Sequence, residues 1–320
     1  MAATGVFTKF SAFNRKDTIY TSNDLSIGVS VFVPKGAQKE ETLPVLVRWH
    51  GGALINGGRA YEPWFPKWIV DLAALHSAII VSADYRLLPE SSGLDILADL
   101  QHFYAWLHEH LASFVASSFS QQNPTPDLSN ILITGESAGG YMAVQSVLLG
   151  ETKGVKAVIA HYPMIDLKDA WYSKPGRKVI WGQPPPTYPD GWLDEQLAAA
   201  RSAKPVTERI PKEGEPDLFV ASLLEGRYTD ILGNDSRLFP LENLRSSMER
   251  GISLPPIWMF HGQGDTLIPV DGTLKFVREA RGGVKETIVP GAEHGFDDDS
   301  ITLDTDWVLE GRRWLKIHWP

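Results

Sequence analysis

The run Gly135-Glu136-Ser137-Ala138-Gly139 constrains this chain more than any other stretch of its 320 residues. It is a G-x-S-x-G pattern. Three apolar residues of strand type, Ile131, Leu132 and Ile133, lead into it, and a helix-forming run over 141–149 follows. A serine in that setting sits on a sharp strand-to-helix turn, where a Cβ at the glycine positions would clash. The helix that follows points its N-terminal dipole at the place where negative charge would develop. Ser137 is therefore a candidate nucleophile, and the pattern demands a sheet whose strands feed into helices.

The remainder of the chain supplies such a sheet. Ile27, Val29, Val31 and Val33 alternate with polar or small residues, as an antiparallel hairpin at a sheet edge would. Short apolar runs at 45–49, 78–83, 130–134, 155–161, 257–261 and 286–289 then alternate with helical stretches, the signature of parallel strands joined by crossover helices. Leu97, Leu100, Tyr104, Leu107, Leu111 and Phe114 recur at helical spacing and define one stripe to face the sheet. A last helix is expected over 305–316. The fold class is α/β, a mostly parallel central sheet flanked by helices in a single domain spanning 1–320. One segment, about 163–255, breaks the alternation with Pro184, Pro185, Pro186 and many aromatics, and it carries helices expected at 192–203 and 217–225. It is too long for a plain connection. We expect it to form a cap or lid above the sheet.

Two further motifs carry chemistry. His50-Gly51-Gly52-Ala53 directly follows the run at 45–49, and glycines there let backbone N–H groups turn toward a developing oxyanion. The candidate oxyanion residues are Gly51, Gly52, Ala53 and Ala138. Asp265 and His294 each follow one of the last two strands, where open α/β sheets gather their sites. Their chain order, Ser then Asp then His, is that of a hydrolase triad in which the carboxylate sets the imidazole tautomer and the imidazole takes the serine proton. Glu293, Asp297, Asp298 and Asp299 are rivals for the carboxylate role, but they flank His294 and follow no strand of their own.

Other chemistries lack support. The chain has no cysteine, so disulfides, thiolate metal sites and a Cys nucleophile are excluded. The formal charge of -9 and the absence of a Lys/Arg cluster argue against a nucleic-acid partner. No metal, nucleotide or dinucleotide motif is present, so no cofactor and no metal are expected. No apolar run is long enough to span a membrane, and the first residues do not read as a signal peptide. A cytoplasmic enzyme acting on a small molecule, without a membrane partner, is the expectation.

These motifs, with Asp84-Tyr85-Arg86-Leu87 and Pro89-Glu90, resemble the hormone-sensitive-lipase-like branch of the α/β-hydrolase fold, which includes microbial and fungal esterases and plant carboxylesterases. The resemblance extends from residue 50 to 294 and implies a serine carboxylesterase with a cap over its active site, built from N-terminal residues and the 163–255 insertion, and a possible homodimer. It also includes non-hydrolytic enzymes (dehydratases, cyclases or isomerases, as in specialised metabolism) and receptors, although receptors typically lose a triad member. Two positions depart from its pattern: Ala53 stands where a third loop glycine is usual, and Leu88 where Ala is common. Arg86 and Glu90 are expected to form a fold-supporting ion pair.

Overall fold

The computed structural model describes residues 9–212 and 214–319. Its eight strands are β1 (Phe13–Ser22), β2 (Leu25–Pro34), β3 (Thr42–Trp49), β4 (Ile79–Ala83), β5 (Thr125–Glu136), β6 (Val155–His161), β7 (Ile257–Gly262) and β8 (Val284–Val289). They form one sheet in the order β1-β2-β4-β3-β5-β6-β7-β8. β1 and β2 are the antiparallel hairpin at the edge, and β2 joins β4 antiparallel. From β4 onward every pairing is parallel.

Strand side chains alternate between two buried faces, as they must in a sheet covered on both sides. In β3, Val45 and Val47 join the core on one face, with Ile131 and Ile133 of β5, while Leu46 joins Leu132, Trp258 and Phe260 on the other. The first face is covered by α2 (Gly93–Ser118) and α3 (Ala138–Leu148), the second by α1 (Lys67–Leu75) and α10 (Asp306–Leu315). The expected stripe of α2 is largely buried, and Ser92 caps the helix by accepting from the Asp95 N–H while Asp95 returns a bond to the Ser92 N–H. Among the described residues no helix is long and apolar enough to cross a membrane.

Between β6 and β7 lie α4 (Ala170–Ser173), α5 (Trp192–Ala200), α6 (Leu218–Leu224), α7 (Tyr228–Leu232) and α8 (Pro240–Glu249). α8 departs from the expectation that the whole segment sits above the sheet. It packs against α3 and α9 (Asp271–Ala280), in the flanking layer. Leu241 and Leu244 are buried in the main core, which explains the difference. Of the N-terminal residues expected in the cap, 1–8 lie outside the described residues, and Lys9 contributes to the wall of the cavity over Ser137.

The Arg86–Glu90 pair does not form. Arg86 instead donates to Asp99 at 2.7 and 2.9 Å and to Asp95 at 2.9 Å, while Glu90 accepts from Arg209 at 2.7 Å. Asp99 lies one helical turn beyond Asp95, so α2 presents both carboxylates to one guanidinium. The Asp99 side chain is fully buried. Removing one partner of a buried pair leaves an uncompensated charge, so Arg86→Met is expected to destabilise the fold by about 3–5 kcal/mol. A shift of that size in the urea midpoint checks it; an unchanged midpoint contradicts it.

Candidate active site

Ser137 stands between the end of β5 and the start of α3 with φ 57° and ψ −114°, a backbone conformation that side chains seldom adopt. The turn is held from both sides: the Ser137 N–H donates to the His161 carbonyl at 2.8 Å, and the Tyr141 N–H donates to the Ser137 carbonyl at 3.0 Å. Gly139 is required by close approach, since a Cβ there would lie 2.0 Å from the Trp49 carbonyl oxygen of β3. Beneath the turn, Glu136 is buried against Arg48, whose guanidinium lies 4.2 Å from the Phe65 ring centre. Burial pushes the Glu136 carboxyl up, against the pull of Arg48.

The three segments carrying Ser137, Asp265 and His294 converge. His294 Nε2 lies 3.1 Å from Ser137 Oγ, and His294 Nδ1 lies 2.7 Å from Asp265 Oδ2. An ionised carboxylate only accepts, so Nδ1 carries the proton and Nε2 is free to accept from the serine hydroxyl. Asp265 is fixed in turn: its Oδ1 accepts from the N–H groups of Leu267 at 3.0 Å and Ile268 at 2.7 Å. Burial raises the Asp265 pKa, but the neighbouring His294 and the hydrogen bonds from His261 and His294 outweigh it and hold the carboxyl well below its usual range. Tyr162 packs edge-on against the His294 ring at 4.6 Å.

The rival carboxylates are committed elsewhere. Asp297 accepts from His161 at 2.7 Å, from the Tyr162 hydroxyl at 2.5 Å and from the Trp68 indole at 3.1 Å. Asp298 accepts from Ser300, and Asp299 pairs with Lys9. Glu293 accepts from the N–H groups of Thr266 at 2.6 Å and His294 at 2.8 Å.

The loop after β3 needs one correction. Gly52 and Ala53 line the cavity in front of Ser137, and Ala138, as the first residue of α3, has an N–H without a helical partner. Gly51 also lines the cavity, but its N–H donates to Glu136 Oε1 at 3.1 Å and so is not free for a substrate oxygen. Gly52 has φ 110°, and a Cβ there would meet the Asn56 carbonyl oxygen at 2.1 Å. Ala53 has φ 58°, where glycine would be unstrained. Its carbonyl accepts from the Tyr228 hydroxyl at 2.9 Å, a contact from α7 that holds the loop in this form. His50 stacks on Tyr85 at 4.3 Å; burial keeps it neutral, with its pKa lowered to about 3.

Two residues beside the triad carry no motif in sequence. His261 donates from Nε2 to Asp265 Oδ2 at 3.1 Å and to the Ile268 carbonyl at 2.9 Å, and it accepts from Thr273 at 2.8 Å. Glu293 ties the loop of Asp265 to the loop of His294 through Thr266. The only available signal was position: His261 precedes Asp265 by four residues, and Glu293 precedes His294 by one. The cavity over Ser137 measures about 310 Å³, and the segment between β6 and β7 gives Trp181, Asp217 and Phe219 to its wall.

Comparison with known proteins agrees with this architecture. The family described as the alpha/beta hydrolase fold matches residues 46–183. The chain is 34% identical over 327 aligned residues to "Probable carboxylesterase M8" of a Phoma species, covering 98% of each. It is 34% identical to "Probable carboxylesterase clz11" of Cochliobolus lunatus over 65% of this chain and 94% of that one. Among solved structures, a thermostable esterase from Pseudomonas putida superposes with a TM-score of 0.58 at 21% identity, over 97% of this chain and 85% of the other. The chain belongs to the α/β-hydrolase fold family, alongside the Phoma carboxylesterase relative it matches over nearly its whole length.

Proposed function

We propose that this protein hydrolyses a carboxylic ester or lactone of a small molecule through an acyl-enzyme on Ser137. The observation that carries the reading is the hydrogen-bond chain from Ser137 Oγ to His294 to Asp265. The Ser137 hydroxyl passes its proton to His294 Nε2 as the oxygen attacks the ester carbonyl. Asp265, ionised and fixed, holds the resulting imidazolium. The N–H groups of Gly52, Ala53 and Ala138 would receive the oxyanion, each worth about 3–4 kcal/mol of transition-state stabilisation. His294 then protonates the departing alcohol, and water repeats the sequence on the acyl-enzyme to release the acid and regenerate the serine. The relatives named as carboxylesterases support this reaction over a dehydration or rearrangement on the same side chains. We also read the protein as cytoplasmic.

A panel of p-nitrophenyl esters of increasing acyl length, followed by product mass, tests the reading. Hydrolysis adds one water across the ester, and with a cavity of about 310 Å³ short acyl chains are expected to react best. A product isomeric with its substrate, or lighter by one water, would contradict it.

A further inference from the structure

Residues 180–183 form a two-residue hairpin closed by hydrogen bonds in both directions between Ile180 and Gln183, each 3.0 Å. Its tip is Trp181-Gly182, with φ 50° and 68°. Positive φ at both central positions is the geometry that favours Asn-Gly, because asparagine and glycine tolerate it. A tryptophan at the first of these positions is strained, and Trp181 is also 48% exposed. Neither feature helps the fold. Strain of this kind persists where surrounding structure enforces it, and it gathers at functional sites.

The enforcement is visible. The Gly182 N–H donates to Thr266 Oγ1 at 2.8 Å, and the Thr266 hydroxyl donates to Glu293 Oε2 at 2.6 Å. Glu293 Oε1 in turn accepts from the N–H groups of Thr266 and His294. The turn is thus bolted to the two loops that carry Asp265 and His294, and the bolt puts Trp181 in the wall of the Ser137 cavity. Trp64, Phe65, Tyr162 and Phe219 also line that cavity. A flat ring system among such walls gains offset-stacked and edge-on contacts that a puckered saturated ring of the same carbon skeleton does not.

We propose that Trp181 is the specificity-determining residue of this pocket, selecting esters that carry a planar aromatic or conjugated group by covering one face of it. The proposal rests on the hydrolase reading for its substrate, and its test separates the two. Binding is measured by titration calorimetry on the Ser137→Ala protein with ethyl 2-naphthoate and with its saturated counterpart, ethyl decahydronaphthalene-2-carboxylate. Turnover of both esters is measured with Ser137 intact.

The naphthoate is expected to bind at least tenfold more tightly than the decahydro ester and to show at least a tenfold higher kcat/KM. Trp181→Asn suits the turn better than tryptophan and is expected to raise Tm while collapsing both ratios to within about threefold. Trp181→Phe should keep most of the preference. Equal binding of the two esters, binding of neither, or a ratio unchanged in Trp181→Asn overturns the role of Trp181. A fall by the same factor for both esters also overturns it, since a scaffolding role predicts that. A tenfold binding preference that Trp181→Asn abolishes, found in a protein that hydrolyses neither ester, upholds Trp181 and removes the hydrolase reading instead.

Discussion

Ser137→Ala is expected to lower kcat on a short-chain ester by about five to six orders of magnitude while the protein stays folded. The size follows from what is removed. With no hydroxyl, no acyl-enzyme can form, and only the oxyanion donors and ordinary binding remain to act on a water molecule. The fold should tolerate the change, because alanine keeps the Cβ and the elbow is held through backbone atoms: the Ser137 N–H to the His161 carbonyl and the Ser137 carbonyl to the Tyr141 N–H. The only side-chain hydrogen bond given up among the described residues is the one to His294 Nε2. KM should therefore change little. Stopped assays with a chromogenic ester and a melting curve check both halves; a variant retaining more than a few per cent of kcat would contradict the assignment.

Asp265→Asn is expected to cost about four orders of magnitude in kcat and also to lower Tm, because the buried oxygen that accepts from His294 and His261 is lost. The side chain cannot choose its orientation freely. Two backbone N–H groups, from Leu267 and Ile268, converge on the Oδ1 position, so an asparagine must put its carbonyl oxygen there. Its NH2 group then faces His294 Nδ1, where the carboxylate oxygen stood at 2.7 Å. Nδ1 is thereby made an acceptor and the proton moves to Nε2, the nitrogen that must receive the serine proton. His261 Nε2, which also donates toward that oxygen, meets a donor as well. The carboxyl also bears on acid stability. Its folded pKa is depressed, so its contribution is complete above the ordinary carboxylate pKa of about 3.9 and fades as pH falls below that toward the folded value. Acid loss of activity above pH 4 therefore does not come from Asp265. Steady-state kinetics on the variant checks the first claim, and a kcat within tenfold of the parent would contradict it.

Much of this site was legible because its demands are local. Ser137 announces itself through glycines that backbone approach requires and a strand and helix on either side, all close to it in sequence. Asp265 and His294 were legible because each follows a strand end. What was not legible depends on contacts between distant segments. Arg86 and Glu90 lie close in sequence but pair apart, since α2 brings Asp95 and Asp99 to Arg86, and Arg209 arrives from the segment between β6 and β7. Gly51 reads as an oxyanion residue by motif, yet its amide is spent on Glu136, the variable residue of the serine motif. The hairpin at Trp181 escaped because tryptophan is the wrong residue for that turn by local rules. α8 was folded into the supposed cap because composition does not show which helices return to the flanking layer.

Ser137 as nucleophile, activated by His294 under the direction of Asp265, is open to covalent trapping. Intact-protein mass spectrometry after treatment with an alkyl fluorophosphonate tests it most directly. One adduct per chain is expected, mapped by peptide sequencing to Ser137, absent in Ser137→Ala and formed at least a thousandfold more slowly in Asp265→Asn. A label on another residue, or labelling of Ser137 at an undiminished rate in Asp265→Asn, would contradict it.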